Sequence, residues 1–338
     1  MAVMRLARLV ELASSLVGRT ELVDAAGGPG GAVVVTPEPC GADPGLVRTL
    51  PLVVVALGDE DASGVAPGEV PGADLVDVVA AGAADAAAVV AAVDAHPLAA
   101  TALAVLLRAT GGRGIADGLV AESTTYSTLQ AGPEHRAWLA SRGPARSRPD
   151  AGPRLALRRD GDVLRVTLAR PAVRNAFDAA MRDELLDALA VAQADPGLRV
   201  VVDGSGPAFC SGGDLDEFGT LADPASAHLV RIGHSVGLAL HLVADRVTVA
   251  VHGACVGSGV ELAAFAGRVT AAPDATFRLP EVAMGLVPGA GGTVSVTRRV
   301  GRHRAAWLGL TGAAVDAATA CAWGLVDEVV DPPARPSA

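Results

Sequence analysis

The chain has 338 residues, enough for about two average domains at roughly 150 residues each. Half of it is hydrophobic (51%), which excludes a disordered chain, and aromatics make up only 3%, so Ala, Val and Leu must build the core. The net charge is -10 and every one of the 27 basic residues is Arg; without a basic cluster, nucleic acid is excluded as the main partner. Cys40, Cys210, Cys255 and Cys321 have no paired spacing, so no disulfide framework or zinc site is expected. No apolar run reaches the roughly 18 residues of a membrane span, and Glu11 interrupts any leader-peptide core. These features predict a cytoplasmic chain with no membrane partner.

In chain order, Leu6, Leu9, Val10, Ala13, Leu16 and Val17 fall on one helical face, with Gly18 as the expected stop. Apolar runs at 32–36 and 52–57 have the length of buried strands, and Gly/Pro-rich connections lie at 27–31 and 63–72. Helical patterns follow at 84–109 and 115–141, separated by Gly111-Gly112. Residues 142–153, rich in Arg, Pro, Gly and Ser, read as a linker between a region 1–141 and a region 154–338.

Beyond it, apolar stretches at 155–158 and 163–168 flank Asp160-Gly161, a hairpin signal. A helix is predicted from Asp178 to Ala194, a strand at 200–203, a helix at 224–243, a strand at 247–252 and a helix at 258–266. The alternation predicts an α/β fold with right-handed crossovers.

Two strand-to-helix loops carry the chemistry, Ala208-Phe209-Cys210-Ser211-Gly212-Gly213-Asp214 and His252-Gly253-Ala254-Cys255-Val256-Gly257-Ser258-Gly259-Val260-Glu261. A helix entered through glycines exposes unpaired N–H groups at its positive end, where an oxyanion can sit. Such loops are also common as plain structure, and neither Ser lies in a nucleophile elbow with a partnering His. The scattered His residues read as structural, His252 as a packed one.

With these loops stand Arg170-Pro171, Arg174-Asn175-Ala176-Phe177, Leu279-Pro280-Glu281, the run Gly285-Leu286-Val287-Pro288-Gly289-Ala290-Gly291-Gly292-Thr293, and Ala322-Trp323-Gly324-Leu325-Val326-Asp327. In this order and spacing they resemble the crotonase, or enoyl-CoA hydratase/isomerase, superfamily. The resemblance implies a crotonase-like ββα-spiral core, with the N-terminal, mainly helical region as an accessory. It implies that backbone N–H groups of Ser211 and Ser258 hold the thioester carbonyl of an acyl-CoA, although the family usually has Gly at the second position. It implies Glu261 and Glu281 as the catalytic pair, the first activating water and the second exchanging the proton at Cα. Taken alone, each Glu reads as an ordinary acid in a first helical turn. Arg174, Ala176, Phe209, Gly212, Gly213, Asp214, Gly257 and Gly289 are implied as substrate or CoA contacts, with Asp214 also reading as a helix cap and Arg174 as a solvated cation.

The activity so implied is hydration of a 2-enoyl-CoA, with no metal or redox cofactor and coenzyme A only as part of the substrate. Enoyl-CoA isomerisation, thioester hydrolysis and a non-catalytic subunit of the same fold stay open. A dinucleotide enzyme is disfavoured because no G-x-G-x-x-G follows a strand, and a P-loop is impossible without Lys. Members of the family are trimers or hexamers, and their chains continue beyond the Gly-Leu-Val-Asp strand into further helices. Here Leu75-Val76-Asp77-Val78-Val79, then 86–108 and 119–142, resemble that tail placed ahead of the core, above all Glu122-Ser123-Thr124-Thr125-Tyr126. The expectation is a permuted or degenerate half-copy whose helices 84–141 pack against the Glu261 pocket.

Overall fold

A computed structural model describes residues 3–28, 30–38, 42–58, 71–110, 112–143, 152–221 and 223–331. The linker at 142–153 therefore lies mostly outside the described residues, as does Cys40.

The N-terminal region alternates strands and helices: β1 (Val3–Arg5), α1 (Leu6–Ala13), α2 (Leu16–Ala25), β2 (Ala32–Thr36), α3 (Gly45–Arg48), β3 (Val53–Gly58), β4 (Val78–Ala81), α4 (Gly82–Ala95), α5 (Pro97–Thr110), α6 (Ile115–Gln130) and α7 (Pro133–Arg142). Both expected strands form, and β1 and β4 join them in a four-stranded sheet, order β1-β2-β3-β4, parallel throughout. The Val-rich runs suit this place, because a parallel strand covered on both faces has no side for polar residues.

The first helix departs from its prediction. It ends at Ala13, and Ser15 starts α2 by accepting from the Gly18 N–H at 3.0 Å. Gly18 sits within α2, where a Cβ would lie 2.2 Å from the Leu12 carbonyl oxygen, so it allows close packing rather than ending a helix. Val17 turns to solvent, 72% exposed. The predicted helix at 84–109 is likewise two helices, α4 and α5, bent by 114° at His96. Pro97 begins α5, a position where its missing N–H costs nothing.

The C-terminal region comprises β5 (Leu155–Asp160), β6 (Val163–Leu168), α8 (Ala179–Ala194), β7 (Arg199–Gly204), α9 (Pro224–Gly233), α10 (Val236–Leu242), β8 (Val247–Val251), β9 (Ala254–Val256), α11 (Ser258–Ala263), β10 (Arg268–Ala271), β11 (Thr276–Arg278), α12 (Gly292–Val300), α13 (Arg302–Thr311), β12 (Val315–Asp316), α14 (Ala317–Ala322) and β13 (Glu328–Val329). A six-stranded sheet runs β13-β10-β8-β7-β6-β5, parallel except for the β5–β6 hairpin. Asp160 pairs with Val163 in that hairpin, so the turn is Gly161-Asp162, one residue later than the sequence suggested. A small sheet β12-β11-β9 stands beside it. The helix predicted at 224–243 is broken into α9 and α10 at His234, with Ser235 capping the second.

The helices at 82–142 lie on the C-terminal region. One hydrophobic core unites Val55, Val78 and Leu103 with Leu286, Val287 and Leu310, and Leu119 of α6 belongs to the core of the six-stranded sheet. The expected packing of 84–141 against the region of Glu261 is what the chain does.

Candidate active site

The two loops named from the sequence lie side by side. Phe209 N–H donates to the His252 carbonyl at 2.9 Å, Cys210 N–H to that of Ala254 at 3.1 Å, and Val256 N–H back to that of Cys210 at 2.9 Å. Asn175, fully buried, holds the first loop from below: its side-chain amide donates to the carbonyls of Ser205, Ala208 and Phe209. Gly257 joins β9 to α11 at φ +50°, a left-handed conformation that favours glycine. A Cβ there would stand 2.6 Å from Glu281 Oε1, so the close approach demands glycine as well.

This arrangement corrects one of the two expected donors. Ser211 N–H is already spent on the Arg174 carbonyl at 2.9 Å, and its hydroxyl donates to Val173. The amide of that loop on the cavity wall is Gly213, two residues further on. Phe177 brackets it, donating to the Gly212 carbonyl and accepting from Asp214 N–H, both at 2.8 Å, which turns the Gly213 N–H the other way. Among the described residues no acceptor is bonded to the N–H of Gly213 or of Ser258, the first residue of α11.

Glu261 and Glu281 enter the same cavity of about 330 Å³, together with Gly213, Ser258 and Gly289. That volume is in the range of small-ligand pockets. The other expected contacts stand behind the wall. Phe209 is packed in the core, Ala176 and Gly212 are buried, and Arg174 is exposed in a left-handed turn at φ 53°. Asp214 accepts an ion pair from Arg170 at 3.0 Å and caps a short turn at Asp216, so the structure bears out its cap reading. His252 is buried, its Nε2 at 3.0 Å from the Gly206 carbonyl oxygen.

A third carboxylate, absent from the sequence expectations, completes the site. Glu122 of α6 is buried, and with Glu261 it divides four consecutive amides at the start of α12. Ala290 and Gly292 donate to Glu261 Oε2 at 2.7 and 2.9 Å, whereas Gly291 donates to Glu122 Oε1 at 2.7 Å and Thr293 to Glu122 Oε2 at 2.8 Å. The Thr293 hydroxyl adds a further bond to Glu122. Those N–H groups have no partner inside their own helix and lie at its positive end, so two acids can share it. Gly291 makes the turn at φ +109°. Tyr126, one turn beyond Glu122, packs on Gly289, where a Cβ would come within 2.5 Å of the ring.

The three acids differ in environment. Burial pushes Glu261 up to about 7, against the pull of its donated amides. Glu122 is pushed up to about 8 by burial and by the charge of Glu261, opposed by the bonds from Thr293 and Gly291. Glu281 is raised well above the ordinary carboxylate range, first by burial and then by Glu261, and its Oε2 has no hydrogen-bond partner among the described residues. The cavity thus holds three carboxyls raised to different extents, of which Glu261 rests on two amides and Glu281 lies furthest from the ordinary range. Paired acids so divided can act as base and acid in one reaction.

Comparison with known proteins agrees with this geometry. The family model described as enoyl-CoA hydratase/isomerase matches residues 158–334, a little over half of the chain. The chain is 37% identical over 181 residues to a mevalonyl-coenzyme A hydratase of Beauveria bassiana, a match covering 50% of this chain and 63% of that protein. It is 35% identical over 176 residues to the 2,3-dehydroadipyl-CoA hydratase of Escherichia coli, covering 52% and 68%. The crystal structure of an enoyl-CoA hydratase from Thermoplasma volcanium superposes with a TM-score of 0.50 at 34% identity, over 54% of this chain and 73% of that one. The chain thus spans about two thirds of the length of these curated relatives.

Proposed function

Since the chain belongs to the enoyl-CoA hydratase/isomerase family, we propose that it adds water reversibly across the double bond of a 2-enoyl-CoA. The observation that carries this reading is the pair Glu261 and Glu281 in one cavity with two uncommitted backbone N–H groups. The thioester oxygen would lie between the N–H of Gly213 and that of Ser258. Glu261, its Oε2 fixed by Ala290 and Gly292, takes a proton from water through its other oxygen as the water oxygen bonds to Cβ. The π electrons move onto the thioester oxygen as an enolate, which the two amides stabilise; losing one such donor typically costs about 10²–10³ in rate. Glu281 then delivers its proton to Cα and the carbonyl reforms. Glu261 ends protonated and Glu281 ionised, and exchange with solvent restores both.

Glu122 is a positioning residue in this scheme, since it fixes the amides that alternate with those holding Glu261. The addition moves no net electrons, so the reading requires water and an acyl-CoA and no redox cofactor. It also takes the chain to be a trimer or hexamer, which light scattering would check.

The test is loss of absorbance at the enoyl-thioester band on adding crotonyl-CoA. Glu261→Gln and Glu281→Gln are each expected to lower kcat by about 10²–10⁴ while the protein still binds CoA thioester. Turnover that survives Glu261→Gln but not Glu281→Gln would replace hydration with one-base enolate chemistry.

A further inference from the structure

The cavity contains a guanidinium that the hydration scheme does not use. Arg231 of α9 lines the cavity together with Ser123 and Tyr126 of α6. Its Nε donates to Ser123 Oγ at 3.1 Å and its Nη2 to Ser127 Oγ, and the guanidinium carbon stands 4.4 Å from the centre of the Tyr126 ring. Ser127 passes its own proton to the Pro224 carbonyl at 2.7 Å, and Ser123 Oγ is shared with His228 Nδ1 at 2.8 Å. None of the partners of the guanidinium itself is a carboxylate. Among the described residues no carboxylate lies within 4.0 Å of Arg231, while Arg142, Arg154, Arg170 and Arg299 in the same region each have one.

A cation taken partly out of water without a counter-charge costs free energy. Burial lowers the Arg231 pKa, opposed by Tyr126 and Glu122. The guanidinium is held in place by two hydroxyls, the Ser123 carbonyl and a ring. The cavity of about 330 Å³ that Arg231 lines is the one that holds Glu261, Glu281, Gly213 and Ser258, so a thioester seated on those two amides brings its acyl end into it. An anion meeting Arg231 inside it would therefore belong to the acyl chain.

We propose that Arg231 is a specificity residue that binds a carboxylate at the far end of the acyl chain, so that the preferred substrates are enoyl-CoA thioesters of dicarboxylic acids. This rests on the acyl-CoA reading above and names its substrate class. A planar guanidinium fixed through Nε and Nη2 retains Nη1 protons for a carboxylate, and hydrogen bonds to charged groups are the strong ones.

The experiment is calorimetric binding of two saturated, unreactive thioesters of equal chain length, adipyl-CoA and hexanoyl-CoA, with free coenzyme A as control. The wild type is expected to favour adipyl-CoA by about 10-fold to 100-fold, as a charged hydrogen bond in a half-buried site allows. Arg231→Met should erase that preference with hexanoyl-CoA affinity little changed, and Arg231→Lys should retain part of it. Equal binding of both thioesters to the wild type would overturn the proposal without any variant, so a variant that fails to fold leaves the test intact. Equal weakening of both thioesters by Arg231→Met would make the residue a brace between α6 and α9. Weakening of free coenzyme A as well would assign it to a phosphate. A wild type that prefers adipyl-CoA yet never hydrates crotonyl-CoA or its carboxylated analogue would sink the hydratase reading and leave the subsite standing.

Discussion

Two regions of this molecule bury carboxylates, and they treat the charge in opposite ways. Beneath the N-terminal sheet Asp77 meets Arg108 at 2.6 Å, with both side chains almost fully buried, and accepts from Val54 N–H as well. The same guanidinium donates to the carbonyls of Val47, Leu50 and Leu52, tying α3 and the entry to β3 onto α5. Around the cavity, Glu122, Glu261 and Glu281 have no cation within 4.0 Å among the described residues; two rest on backbone amides and Glu281 Oε2 on nothing. The compensated pair serves as a fastener. Charge left uncompensated keeps its proton within reach of neutral pH, which is what proton transfer requires.

The contrast can be broken most forcefully on its structural side. Asp77→Ala leaves the Arg108 guanidinium buried without its partner, and is expected to cost about 3–5 kcal/mol of stability, read from the denaturant midpoint. Turnover by the fraction that remains folded should be unchanged; a loss of kcat at full folding would mean the two regions are coupled. Next in size is Glu122→Gln, which keeps the side chain's shape but replaces one of its two acceptor oxygens with an NH2 facing an N–H donor. A drop of about 10-fold to 100-fold in kcat with KM nearly constant is expected, as for a catalytic group shifted by a fraction of an ångström. The acid limb of the pH–rate profile should stay in place, because Glu122, at about 8, still carries its proton where Glu261 ionises near 7. A kcat left unchanged by Glu122→Gln would reduce Glu122 to a packing role.

A further prediction concerns stability against pH. Glu261 at about 7 and Glu122 at about 8 both lie above the ordinary value of 4.5, so the folded chain binds these protons more tightly than the unfolded one. Their contribution is fully present below about pH 4.5 and is lost as pH rises through 7 to 8. The melting temperature should therefore decline over that window, and Glu261→Gln should flatten the decline. A wild-type curve rising between pH 5 and 8 would contradict the environments assigned to both acids.

How much of this was legible in the sequence depended on how local each feature is. Glu261 could be placed because it lies three residues beyond Ser258 in one glycine-rich loop, and Glu281 because Leu279-Pro280 precedes it in a compact motif. The spare amide of the first loop lies two residues beyond the one expected from the sequence. Whether the Ser211 or the Gly213 amide is spare depends on the Arg174 carbonyl and on Phe177, which reach the loop from more than 30 positions upstream. The helix breaks after Ala13 and at His96 and His234 were hidden for a related reason. Apolar spacing continues across them, and the Ser15 and Ser235 caps look like ordinary helix residues until the turn is seen.

Local pattern by itself thus determined the strands at 32–36 and 163–168, the two glycine-rich loops, the positions of Glu261 and Glu281 and the family, because each is written within a few consecutive residues. Tertiary structure alone decided that Glu122, 169 positions before the Gly291 amide it accepts from, would share a helix end with Glu261. It likewise decided that Arg231 would lie over Tyr126 with no carboxylate within 4.0 Å among the described residues. An acid or a cation on a helix carries no local mark of its future partner; that is fixed only when α6 folds back onto the start of α12 and onto α9, closing the cavity from the far side of the chain.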